Sequence, residues 1–197
     1  GFSYGRFSGA SGATGGSDTT GANSVTNTSS GCQTFDQTIL NGGIPVPLWS
    51  QTDSIWASHP YGTGNSRGNT IKNNGCAPSS LSMVVSYFTG KTVTPPDVAD
   101  WAGLKYYVSG AGSSWAIFDA GAKYLGFKCT QINNKDSQKI ISELNAGHPI
   151  IASMGPGAFT RGGHYIVLRG VTSDGKIHVN DPASKERSEK SWDVSLV

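Results

Sequence analysis

Between positions 77 and 88 the apolar residues recur at helical spacing. Ala77, Leu81, Val84, Val85 and Phe88 fall at i, i+4, i+7, i+8 and i+11, one stripe along a helix. Pro78 suits only a first turn and Gly90 suits a C-terminal stop, so the helix places Cys76 at its N-terminus. Ahead of it, Ile44 to Gln51 reads as extended, because residues before Pro45 and Pro47 avoid the helical region. Residues 57–75, rich in Gly, Asn and Ser, read as a loop. A second helix is signalled by Thr94-Pro95-Pro96-Asp97, a cap with a first-turn proline and an acid three residues on, and takes in Val98 and Trp101. A third starts after Ser113 or Ser114 and ends at Gly126. Asp136 caps a fourth, over Ile140 to Leu144, which Gly147 ends. Four stretches read as strands: Phe127 to Ile132, Pro149 to Met154, His164 to Val171 and Lys176 to Asp181. Helices come first and strands later, an α+β arrangement.

Composition adds an N-terminal segment of another kind. Gly, Ser and Thr fill 20 of the first 31 positions, too few apolar groups to offset chain entropy. Residues 1–42 are therefore expected to be a flexible linker, and 43–197 the folded domain. The first residue is Gly rather than Met, which fits a piece of something longer. A net charge of +2 gives no basic field of the kind that marks a nucleic-acid binder. No apolar run approaches the roughly 20 residues that a membrane helix needs. Three cysteines make an odd count, so one thiol is left over if Cys32 and Cys129 pair, and nothing in the sequence requires that they do.

The candidate chemistry centres on Cys76. A helix N-terminus favours a thiolate through its free N–H groups and dipole, and a neighbouring imidazolium favours it further. The bland reading is a small buried hydrophobe. His164 opens a strand beside Gly162 and Gly163, where it can face a cleft; the alternative is a partly buried strand histidine. Thr172-Ser173-Asp174-Gly175 reads as a hairpin turn. If it is symmetric about positions 173 and 174, His164 lies level with Ala183, and Asp181 shares its face and can orient the imidazole. A one-residue bulge would hand that role to Asn180. Gln51, ending the extended segment, is a candidate oxyanion donor with the Cys76 amide, or else an exposed polar residue.

Several blocks now line up: Pro-Leu-Trp-Ser-Gln51-Thr-Asp53-Ser-Ile-Trp56, Asn-Asn-Gly75-Cys76-Ala-Pro78, Gly-His148-Pro-Ile-Ile, Gly163-His164-Tyr-Ile-Val-Leu-Arg-Gly170 and Val-Asn180-Asp181-Pro182. In this order they resemble the cysteine peptidases related to double-glycine leader-processing enzymes, of the papain clan. The resemblance spans about Ile44 to Asp181. It implies a papain-like fold with Cys76 as nucleophile, His164 as base, Asp181 as its orienting acid and Gln51 in the oxyanion hole, and no cofactor or metal. Ala77 stands where the family often has Gly, and residues 155–163 are an elaborate loop expected to face substrate. His148, His59 and His178 are read as structural.

A domain on a Gly/Ser/Thr tether suggests a cell-wall lytic enzyme of bacteria, phages or conjugative elements. The expected substrate is then a peptidoglycan stem peptide, the expected partner a covalently linked second lytic or wall-binding domain, and the expected location extracellular, envelope-bound or virion-associated. The rivals are a leader-peptide-type processing protease, a non-catalytic wall-binding module retaining the fold, and an acyl transferase using the same thioester.

Overall fold

A computed structural model of the chain describes residues 3–8 and 37–197. Among the described residues there are six α-helices: α1 (Ile71–Asn74), α2 (Cys76–Thr89), α3 (Pro95–Ala102), α4 (Ala116–Tyr124), α5 (Ser137–Asn145) and α6 (Lys185–Ser188). The main sheet has strands β1 (Ser3–Ser8), β4 (Lys128–Asn133), β5 (Ile150–Met154), β6 (His164–Val171), β7 (Ile177–Asn180) and β8 (Ser191–Trp192). Its order is β4-β1-β5-β6-β7-β8, with every pair antiparallel. A two-stranded hairpin of β2 (Tyr107–Val108) and β3 (Gly112–Ser113) stands apart from it. Among the described residues no helix is long and apolar enough to cross a membrane.

The helix signals act as read. Gly90 ends α2 in the left-handed conformation at φ 63°. Thr94 and Asp97 form a capping box on α3, and Asp136 accepts the Lys139 N–H to cap α5. The α2 stripe is buried through Leu81, Val84 and Val85, which join Ile150, Ile166 and Leu168 of the sheet in one core. Fully burying side chains of this size contributes about 1.5–3 kcal/mol each. Ser80 Oγ donates to the Tyr165 carbonyl at 3.3 Å, which ties the start of α2 to the start of β6.

Three local readings differ. The loop expected over 57–75 contains α1, made where Ile71 is buried beneath the chain. The third helix begins at Ala116 behind Trp115, with no side-chain cap, because Gly112–Ser113 are drawn into the hairpin instead. Within the segment expected to be linker, Ser3–Ser8 forms β1 and fills the place between β4 and β5. Its Tyr and Phe are strong strand formers, whereas the small polar residues concentrate in 9–36, a stretch outside the described residues.

The hairpin of β6 and β7 decides where the site falls. Near its turn Val171 pairs with Ile177 and Gly170 with His178. Farther in, Leu168 pairs with Val179 and Val167 with Asn180, so Arg169 is one residue extra. The turn therefore lies half a residue later than the symmetric expectation, and the bulge corrects it. Without the bulge, His164 would share a face with Asn180 rather than Asp181. The bulge is held from outside: the Arg169 carbonyl accepts the Ile44 N–H at 2.5 Å, and its buried guanidinium donates to the carbonyls of Leu40, Asn41 and Gly42. Gly43 and Gly170 make this approach possible, since a Cβ on Gly170 would lie 2.5 Å from Gly43 Cα. Gly170→Ala should therefore cost about 2–3 kcal/mol and lower Tm by roughly 5–10 °C in calorimetry. An unchanged Tm would contradict this packing.

Candidate active site

The position of Cys76 is set by a break between two helices. Gly75 separates α1 from α2 and has φ −88° and ψ 12°. A Cβ there would run into the backbone of Ile71 and lie 2.7 Å from its Cγ2, so only glycine fits. Cys76 thus begins a fresh helix, and among the described residues its N–H meets no backbone carbonyl. The Lys72 carbonyl, which a continuous helix would have offered to it, instead accepts Gln51 Nε2 at 2.7 Å. One amide proton of Gln51 is used in this way, and the second remains to be aimed. Gln51 is buried rather than exposed, and its backbone N–H donates to the Pro182 carbonyl at 2.8 Å, directly after Asp181.

The packing of α2 on β6 brings Cys76 near His164, close enough for the two side chains to interact electrostatically. His164 Nε2 is 2.7 Å from Asp181 Oδ1. With Nε2 taken by the carboxylate, Nδ1 is the nitrogen left for the thiol. Asp181 is wholly buried, and its Oδ1 also accepts the Ala183 N–H at 2.8 Å. Its Oδ2 accepts Arg187 Nε at 2.6 Å, and its backbone N–H donates to Ser188 Oγ at 2.7 Å. Asn180, the other candidate, points elsewhere: its Nδ2 donates to the Val46 carbonyl at 2.9 Å and holds the extended segment.

The electrostatics follow from these contacts. Burial works against a charge on His164, but the bonds to Asp181 and Cys76 outweigh it and raise the imidazole to about 9. Burial likewise opposes the charge on Asp181, yet His164 and then Arg187 and the Ala183 N–H hold it below the usual carboxylate range. At pH 7 the pair is therefore an imidazolium and a carboxylate. Cys129 is the contrast: burial, reinforced by Asp119, pushes its thiol up to about 12. Cys32 lies outside the described residues, so its pairing is not addressed by the fold.

One wall of the site is aromatic. Tyr61, Tyr107 and Tyr165 lie near enough to Cys76 to feel its charge, and burial with that charge pushes Tyr61 and Tyr165 up to about 12, so both phenols stay protonated. Ser113 of the hairpin joins two of them, its Oγ 2.7 Å from the Tyr61 hydroxyl and its carbonyl accepting from Tyr165 at 3.2 Å. These residues went unread in the sequence, although Gly110 and Gly112, both with positive φ, mark the hairpin that carries Ser113. Arg187 went unread too; the Ser184 cap of α6, which accepts the Arg187 N–H, is its one local signal. Two of the other histidines are paired away from the thiol, His148 with Glu143 at 2.8 Å and His59 with Asp100 at 2.7 Å. In the 155–163 loop, Phe159 is buried against the Trp192 ring at 4.6 Å, which pins that loop to β8.

A family model for C39-like peptidases matches residues 43–196. The chain belongs to the peptidase C39-like family. Its α+β fold is accordingly papain-like, with the central helix packed on an antiparallel sheet. No curated protein and no solved structure matches the chain. Within this C39-like fold the ordered blocks of the sequence fall on the elements just described, from Gln51 through Cys76 to β6 and the end of β7.

Proposed function

We propose that this C39-like protein is a thiol peptidase acting through Cys76, His164, Asp181 and Gln51. The observation that carries the reading is a thiol at a helix N-terminus near His164, whose Nε2 lies 2.7 Å from the buried Asp181 carboxylate. The Cys76 thiolate attacks an amide carbonyl, forming a C–S bond while the carbonyl electrons move onto oxygen. The oxyanion is met by the Cys76 N–H and the second proton of Gln51 Nε2, each such donor lowering the barrier by about 3 kcal/mol. His164 Nδ1–H then protonates the leaving nitrogen as the C–N bond breaks. The neutral imidazole takes a proton from water, and the resulting hydroxide opens the thioester and restores the thiolate.

The substrate we assign is a peptidoglycan peptide, and the setting a wall-lytic protein, secreted or virion-associated, with a linked second lytic or wall-binding domain. Support comes from the Gly/Ser/Thr-rich composition of residues 9–36, suited to a tether, and from a sequence pI of about 8.4, suited to an anionic wall. The protein should clear isolated bacterial walls and release new amino groups, and iodoacetamide should stop it. Inertness on several wall types, with peptide cleavage retained, would favour leader-type processing. Products carrying a new acyl acceptor in mass spectra would instead identify a transferase.

A further inference from the structure

Asp181 is a buried anion with two positive partners, and only one of them belongs to the reaction described above. The second, Arg187, sits six residues downstream on α6, and its side chain is 29% exposed, so it reaches the carboxylate from the solvent side. Its Nε–Oδ2 distance of 2.6 Å is as short as the His164 contact on the other oxygen. Its own placement is fixed twice. The Ser184 hydroxyl accepts the Arg187 N–H at 3.1 Å, and the Arg187 carbonyl accepts Trp192 Nε1 at 3.0 Å. The neighbouring acid on α6, Glu186, is paired with Lys190 at 2.6 Å, which leaves the guanidinium to Asp181.

We propose that Arg187 is a positioning residue of this site, holding Asp181 Oδ2 through its Nε–H and sharing the carboxylate's charge, so that His164 holds its proton without holding it too tightly to give it up. The proposal rests on the thiol-peptidase reading. The physical reason is a division of charge. A carboxylate facing imidazole alone would stabilise the imidazolium with its whole charge, and here both groups are buried. A general acid bound that firmly is a poor donor to a leaving amine. A guanidinium on the opposite oxygen withdraws part of that field and restrains that oxygen by a charge-assisted hydrogen bond. The groups facing His164 are Cys76 from α2 and Asp181 from the end of β7, and Tyr61, Tyr107 and Tyr165 around the thiol remain neutral.

The test is an NMR titration of the four histidines in the whole chain. Wild type should show a His164 midpoint near 9. Removing the charge in Arg187→Met should raise that midpoint by about half to one unit, because Oδ1 stays held by the Ala183 N–H. Arg187→Gln keeps a donor but no charge and should move it the same way, while Arg187→Lys should stay within about 0.3 units of wild type. His59, His148 and His178 report that the fold is intact. A His164 midpoint unmoved or lowered in both neutral variants, with those three unchanged, overturns the proposal. Failure of Arg187→Lys to restore it does so as well. Iodoacetamide labelling of wild-type Cys76 runs alongside. A Cys76 no more reactive than a free thiol would sink the peptidase reading, while the midpoint shifts would still measure the coupling between Arg187 and His164.

Discussion

Cys76→Ala should abolish hydrolysis, lowering the rate by about 10⁴-fold or more, since Cys129, the other described cysteine, sits beside Asp119 and not beside His164. The fold should survive, because the side chain is half-buried and its removal deletes one sulfur atom. The sharper half of the expectation concerns His164→Ala. An unassisted thiol is only a few per cent ionised at pH 7. Beside Cys76 stands an imidazole raised to about 9, hence protonated at that pH and paired with Asp181. Its removal should slow alkylation of Cys76 by iodoacetamide about tenfold at pH 7. Cys129 supplies the internal control, because burial and Asp119 push its thiol up to about 12 and leave it inert at neutral pH. Peptide mapping of the labelled protein reads both thiols at once. Equal labelling of Cys76 in wild type and His164→Ala would remove the ion pair from the mechanism. Labelling of Cys129 ahead of Cys76 would move the reactive centre altogether.

Much of this site was legible because local rules and the site coincide. Pro78 and the apolar stripe put Cys76 at a helix start, and a helix start is where a thiolate is favoured. His164 and Asp181 were related by hairpin parity, but through a register wrong at the turn and right at the site. The turn is centred half a residue later than read, with the Thr172 N–H on the Lys176 carbonyl at 2.8 Å. The bulge at Arg169 then returns the inner register. No periodicity announces that bulge. It exists because a segment more than a hundred residues earlier lies across β6 and supplies three carbonyls to the Arg169 guanidinium.

The unread parts share that cause. The Gly75 break, the Ser113 link between two tyrosines and the Arg187 contact with Asp181 each need a tertiary neighbour to make sense of the residue. Strand β1 is a plainer case. A composition rule applied to 42 residues averaged a short strand-forming stretch into its polar surroundings, and a sheet with room between β4 and β5 takes up such a stretch.

Asp181→Asn should lose both rate and stability, for separable reasons. Among the causes that raise His164, the bond to Asp181 is the strongest, so a neutral amide there lets burial prevail and lowers the imidazole well below its wild-type value of about 9. At pH 7 the ring then spends much of its time unprotonated, and the rate should fall about 100-fold or more. Stability falls because the amide leaves the Arg187 guanidinium and the His164 ring facing a group without charge in a closed site. Breaking such a buried pair costs about 3 kcal/mol, or roughly 6–12 °C in Tm. The pH dependence separates the two contributors by sign. His164 is raised on folding, so its share of stability is complete below its unfolded value near 6.5 and is lost as pH rises through about 9. Asp181 is lowered on folding, so its share is complete above its unfolded value near 3.8 and is lost as pH falls through the depressed folded value. Wild type should thus lose stability at both ends, and Asp181→Asn should flatten both limbs while remaining less stable between them. Urea unfolding from pH 3 to 10 measures this. A variant whose profile keeps the alkaline limb would mean that Cys76, and not Asp181, holds the proton on His164.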